Sequence, residues 1–304
     1  MRGLSILALL AVGALVLSGC SSKGGTSTSV SISGTLSAGK NTTKGGLGGL
    51  TNTSSVPNLP PIVKLTVTNT TGGPTNVTLV KGSLMFSAVG SHDADTDGLS
   101  AVAITAQDSN RTYPPQVLFA AGKFSTVTYT FDRPGPVNVT VSGIDVRGDL
   151  TTIKTQVFVN EVIKIDSGSF PAPFGSAPVY KTTDCKGAVE KGGAGTNPVD
   201  NGVIKNGPIS LVKGAQWISA HMVSGKGKFA ICSPPPESKA ISDEGTESKD
   251  VVTTVPGPLP MPAKSTDNYR LFMLGTDAAS TTPNPSFSVL VTVHYEPKPA
   301  APAA

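Results

Sequence analysis

Residues 90 to 98 read GSHDADTDG, and the alternate acids Asp93, Asp95 and Asp97 ahead of Gly98 form the most ligand-like cluster in this 304-residue chain. Acidic side chains at every second position before a glycine turn can wrap oxygens around a hard cation, and calcium is the ion such oxygens take. The twelfth position counted from Asp93 would be a bidentate Glu in an EF-hand; it is Ile104, and no helical pattern flanks the loop, so an EF-hand is excluded. A looser calcium site built from these carboxylates, a backbone carbonyl and water is one reading. The other, preferred here, is that short acids occupy an inter-strand turn because they bond their own backbone. No cofactor besides calcium is expected.

The remaining reactive residue types are sparse. Of three cysteines, Cys185 and Cys232 can pair as a disulfide in an oxidising compartment; two separate buried thiols are the alternative, and no CxxC or HxxxH partner accompanies them for zinc. The histidines His92, His221 and His294 are far apart in sequence and read as structural. No GxSxG, no HExxH and no cysteine with a matched base is present, so no catalytic residue is assigned and the protein is read as not an enzyme. The sole tryptophan, Trp217, lies in QWISAHMV, where Trp217, Ser219 and His221 share one face of a strand and Ile218, Ala220 and Met222 the other. It is either a sugar-stacking platform or, as lone strand tryptophans more often are, a core residue.

The elements that must hold these residues are strands. Charged residues make up 14% of the chain against roughly 25% in a typical soluble domain, and Thr, Ser, Val, Gly and Pro dominate. The net charge of +4 is spread without a basic block, which leaves nucleic-acid binding no electrostatic footprint. Alternating runs such as IVKLTVT (62–68), NVTLV (76–80), LMFSA (84–88), AVAITA (101–106), QVLFA (116–120), FSTVTYTF (124–131), VNVTVSGI (137–144) and TTIKTQVFV (151–159) are separated by turn signals and predict an antiparallel sandwich. EVIKI, VIKNGPISLV, QWISAHMV, KFAIC, NYRLFMLG and FSVLVTVHY predict a second one with longer loops; the longest, 233 to 250, reads as solvated. The fold class is therefore all-β, with two sandwiches. The domain layout is an export signal at 1–19, a linker at 20–60, sandwiches at 61–160 and 161–296, and a Pro/Ala-rich tail at 297–304.

The linker's SSKGGTSTSVSISGTLSAGKNTTKGGLGGLTNTSS is too poor in apolar residues to bury a core and predicts a tether whose root-mean-square reach is roughly 30–35 Å. Its GTLSAGKN (34–41) nearly spells a phosphate loop, but no apolar strand pattern precedes it, no helix pattern follows, and Asn41 stands in place of the metal-binding Ser or Thr. Asn-x-Thr/Ser occurs at Asn41, Asn52, Asn69, Asn76, Asn110 and Asn138, sites for glycosylation in a host that carries it out.

Two resemblances add to this. MRGLSILALLAVGALVLSGC is an export signal, and its LSGC resembles the lipobox of bacterial and archaeal lipoproteins. That resemblance implies lipid on Cys20, a membrane partner and an extracytoplasmic, lipid-anchored location at the cell membrane or envelope. Phe86-Ser87-Ala88, the Gly90–Gly98 turn, Tyr129-Thr130-Phe131, Gly135 and the Val137–Val141 run through Asp145 to Gly148 resemble the PKD domain over residues 62 to 160. That implies an immunoglobulin-like sandwich of the kind used as spacer or adhesive and carbohydrate-associated module. The second sandwich has a general likeness to jelly-roll-like accessory modules. The expected function is a lipid-anchored, non-catalytic surface module binding a polymer, glycan or protein. Its rivals are a self-associating envelope component and an exported glycosidase-like hydrolase.

Overall fold

A computed structural model describes residues 58–95, 98–168, 185, 207–264, 267–274 and 286–299, together with the backbone of 30–34 and 204–206. All of its named elements are strands, which confirms the all-β class. The described residues form two compact units, and Val77–Ser83 and Thr130–Pro136 cluster with the second.

The first unit holds two facing sheets. One orders β1 (Val30–Gly34), β2 (Val63–Asn69), β4 (Ser83–Ser87) and β8 (Thr126–Thr130); the other orders the first part of β10 (Leu150–Asp166), then β9 (Gly135–Asp145), β5 (Leu99–Gln107), β6 (Gln116–Ala120) and β7 (Lys123–Phe124). The period-two pattern decides which face is buried. Val63, Leu65 and Val67 of β2 and Val137, Val139 and Val141 of β9 are almost wholly shielded, while the residues between them are not. Each such side chain contributes about 1.5–3 kcal/mol on burial. Tyr129 joins the two sheets: its ring packs edge-on against Phe86 and Tyr113, and its hydroxyl donates to the Pro114 carbonyl at 2.9 Å. At Gly143 the sheets approach so closely that a Cβ would meet Val63 Cγ2 at 2.5 Å.

Part of the expected tether is ordered. Val30–Gly34 pairs antiparallel with β2, Val30 opposite Val67 and Gly34 opposite Val63. The short alternation VSISG is enough to satisfy the backbone of an otherwise open edge.

In the second unit, the C-terminal part of β10, β16 (Ser288–His294), β12 (Trp217–Ser224) and β14 (Val251–Val252) form one antiparallel sheet, and β3 (Val77–Leu79) adds a short parallel pairing to β10. β11 (Ile204–Ile209), β15 (Tyr269–Leu274) and β13 (Lys228–Cys232) form the other. Ile218, Ala220, Val289, Val291 and Val293 from one sheet and Phe229, Ile231, Leu271 and Met273 from the other fill the core. Gly207 of β11 receives the branched side chain of Ile165 of β10, the counterpart of Gly143 and Val63. Cys185 and Cys232, both buried, form a disulfide with a Cα–Cα distance of 6.0 Å.

Two expectations change here. The runs 151–159 and EVIKI are one strand, because Asn160 between them is no turn: its side chain accepts the Tyr295 N–H at 3.0 Å. The 233–250 loop is not simply solvated. Ile241 is buried, Ser242 accepts the Ile231 N–H, and Gly245 lies against the Phe229 ring where a Cβ could not fit.

Candidate functional site

The outward face of the β10–β16–β12 sheet carries a connected set of polar side chains, Asn160, Ser219, His294 and Glu296. Antiparallel register sets Trp217 opposite His294 and Ser219 opposite Thr292. Asn160, which ends the β3 pairing on β10, comes beside His294 from a position 134 residues away. Because Ile218 and Ala220 point into the core, Trp217 and Ser219 must point out, as the alternation requires. Trp217 is half-buried on this outer face and not in the core.

The rings of Trp217 and His294 are parallel within 2° at a centroid distance of 3.4 Å. Trp217 Nε1–H donates to the Glu296 carbonyl at 3.2 Å, which fixes the indole at its other end. His294 Nε2 lies 2.8 Å from Ser219 Oγ, and His294 Nδ1 lies 2.8 Å from Glu296 Oε1 and 3.2 Å from Asn160 Nδ2. The His294 and Glu296 side chains are 14% and 18% exposed, so their pairing is shielded from water yet reachable from it. Burial opposes ionisation of Glu296, but the hydrogen bond and charge of His294 outweigh it and hold the carboxyl below its usual range. Lys298 Nζ donates to the Thr253 carbonyl at 2.7 Å, and the exposed Val162 and Val252 lie on the strands that flank β16 and β12.

The acidic turn of the first unit looks different. Asp93 Oδ2 accepts the Gly98 N–H at 2.7 Å, and Asp95 Oδ2 accepts the Leu59 N–H at 3.1 Å. Asp145, on β9, accepts the Asp149 N–H at 2.8 Å and the Asn58 side-chain amide at 3.1 Å. Asp93 and Asp145 each accept a backbone N–H within their own turn, whereas the partner of Asp95 is 36 residues away in the chain. Two buried oxygens nonetheless have no hydrogen-bond partner among the described residues, Asp93 Oδ1 and Asn58 Oδ1. No group of three or more His, Cys, Asp or Glu poised for a metal is present among the described residues. Asp97 and Cys20 lie outside them.

Cys185 and Cys232 are accounted for by their disulfide. Of the sequons, Asn69 is buried with its amide nitrogen donating to the Pro74 carbonyl, while Asn110 and Asn138 are exposed. The serine, histidine and glutamate that meet at 2.8 Å were not legible as a group, since Ser219 and His294 are 75 residues apart and carry no short signature. The usable signal was the pairing of QWISAHMV with SVLVTVHY in antiparallel register, which sets Trp217 against His294.

No family model matches the chain, and no curated protein matches it. Among solved structures it is similar to a carbohydrate-binding module of the β-sandwich superfamily with promiscuous specificity, at 11% identity and a TM-score of 0.34 over 78% of this chain and 98% of that one. It is also similar to the Bacteroides ovatus mixed-linkage glucan utilization locus protein SGBP-B in complex with a mixed-linkage heptasaccharide. That likeness has 12% identity and a TM-score of 0.24 over 72% of this chain, which spans half of that protein.

Proposed function

We propose that this chain is a lipid-anchored surface protein whose second sandwich binds an extracellular polymer, a glycan before others, on the outward face of β12 and β16. The observation that carries this reading is Trp217: a partly exposed indole whose plane is fixed by the His294 ring and by the bond from Nε1 to the Glu296 carbonyl. A sugar ring packs its C–H face on an aromatic surface, and an indole already held in place loses little freedom when it does so. Ser219 and Thr292 border it with hydroxyls that can meet sugar hydroxyls. The reading needs no chemical step. The first sandwich, PKD-like in its motifs, then serves as a spacer, and lipid on Cys20 holds the whole at the envelope.

Retention of the purified chain on a panel of insoluble and gel-embedded polysaccharides tests the binding face. Wild type is retained by at least one polymer and Trp217→Ala is not; equal retention of the two removes Trp217 from the site. The mass of the N-terminal peptide from native membranes tests the anchor, which requires diacylglyceryl on Cys20.

Calcium belongs to the same reading of the first sandwich. Asp93, Asp95 and Asp97 would hold it, and Asp93 Oδ1 is a buried oxygen without a hydrogen-bond partner among the described residues. Millimolar calcium should then raise the unfolding temperature of wild type but not of Asp93→Asn, and calorimetric titration showing no heat ends the idea.

A further inference from the structure

The outward face of β12 and β16 also carries a serine with a matched base. One hydrogen-bond donor and one acceptor compete for His294 Nδ1, and their strengths decide the tautomer. Asn160 Oδ1 accepts the Tyr295 N–H, so its Nδ2 is a donor, and it sits 3.2 Å from Nδ1. Glu296 Oε1 is nearer, at 2.8 Å, and a bond to an ionised carboxylate is roughly twice as strong as a neutral one. Nδ1 therefore keeps the proton and donates it to Glu296. Nε2 is left with its lone pair, and the Ser219 hydroxyl 2.8 Å away donates to it. A hydroxyl bonded to a basic imidazole nitrogen, with the opposite nitrogen oriented by a carboxylate, is the arrangement that turns serine into a nucleophile.

We propose that Ser219 is the nucleophile of an acyl-transfer site for carboxylic esters, with His294 as its general base and Glu296 as the residue that positions and charges His294. Ser219 Oγ attacks the ester carbonyl as its proton passes to His294 Nε2. The carbon–oxygen bond to the alcohol breaks, and the alcohol leaves with that proton. Water, giving a proton to the same nitrogen, attacks the acyl carbon; the acid departs and Ser219 regains its proton. The Trp217 indole, stacked on His294, keeps the imidazole from turning away from Ser219.

The setting also fixes what kind of catalyst this is. Ser219 is mid-strand and pairs with Thr292 on one side and Val252 on the other, so the backbone around it is engaged in the sheet. The oxyanion must take its donors from side chains, of which Thr292, directly opposite on the same face, is the nearest in register. Each missing donor of this kind slows turnover by about 10²–10³-fold. Covalent labelling is the sensitive assay, because it counts a single addition to Ser219 and needs no turnover. The proposal stands apart from polymer binding, because an adduct forms without any polymer present.

The full chain is incubated with a fluorophosphonate, whose fluoride leaves as Ser219 Oγ bonds to phosphorus and the proton goes to His294. Intact mass and peptide mapping then locate the adduct. One adduct on Ser219 is expected, absent in Ser219→Ala and unchanged in Ser142→Ala, a strand serine of the first sandwich. His294→Gln should label about a hundredfold more slowly. Glu296→Gln should also label more slowly, and the wild-type rate should rise with pH. A wild type that forms no adduct overturns the proposal, as does an adduct whose rate ignores both pH and Glu296→Gln. Should His294→Gln fail to fold, the pH profile of wild type and the Glu296→Gln rate still decide. Labelling is read without polymer and retention without fluorophosphonate: a wild type that labels but is retained by no polymer ends the binding reading alone, and one that is retained but does not label ends this proposal alone.

Discussion

The two sandwiches hold their connections by different means. In the first, short polar side chains at turns accept backbone N–H groups: Asn69 from Thr71, Asp93 from Gly98, Asp108 from Asn110 and Arg111, and Asp145 from Asp149. In the second, long connections are fixed by a covalent bond and by a ring against a glycine, as with Cys185–Cys232 and Phe229 over Gly245. A short turn restricts only a few dihedral angles, which one carboxylate bond of about 1 kcal/mol can offset; a long loop carries a larger closure entropy and calls for a stronger constraint.

Reducing the disulfide should break this comparison if anything does. Closing a span of 47 residues contributes about 4 kcal/mol, and that loss should fall on the second sandwich alone. Guanidinium unfolding followed by Trp217 fluorescence reports the second sandwich, and hydrogen exchange of β2 and β9 amides reports the first. Equal losses in both would show that the two are not independently held.

Alkali should also separate them. Burial pushes the Tyr269 and Tyr295 hydroxyls up to about 12, and both lie in the second sandwich. A phenol whose folded pKa exceeds its unfolded value near 10 adds stability that is intact below about pH 10 and lost as pH rises toward 12. Burial raises Tyr129 of the first sandwich in the same direction. Melting curves from pH 8 to 12 should be flat up to about pH 10 and then fall, most clearly in the Trp217 signal; a decline beginning at pH 8 would contradict this.

One device is shared and sharpens the contrast. Gly143→Ala and Gly207→Ala each push a methyl into Val63 or Ile165 of the facing sheet, and each should cost about 1–3 kcal/mol in its own sandwich. Gly143→Ala combined with Val63→Ala should cost less than the sum of the two, since each change relieves the other. The smallest effect is that of Asp93→Ala measured without calcium, about 1 kcal/mol and confined to the first sandwich.

What could be read from the chain follows from how local each signal is. The alternation of Val63, Leu65 and Val67, or of Val137, Val139 and Val141, is written within seven residues and gave both strand and buried face. The face shared by Trp217, Ser219 and His221 was legible for the same reason. Which strand lies beside which is not local. The meeting of Asn160, Ser219, His294 and Glu296 depends on β10, β16 and β12 lying side by side in one register, and neither propensity nor spacing encodes that. Asn160 also hid the continuity of β10, because a turn-forming residue can sit mid-strand once its amide finds partners.

If Cys20 carries lipid, the pairing of β1 with β2 sets how far the body can stand from the membrane. With lipid on Cys20, only ten residue steps separate the mooring from Val30, a contour of about 35 Å even when drawn taut. Gly34 lies opposite Val63, so the length of chain between these two residues adds nothing to standoff height. Lengthening the segment before Val30 would let the body stand farther off, whereas equal additions after Gly34 would leave its altitude unchanged.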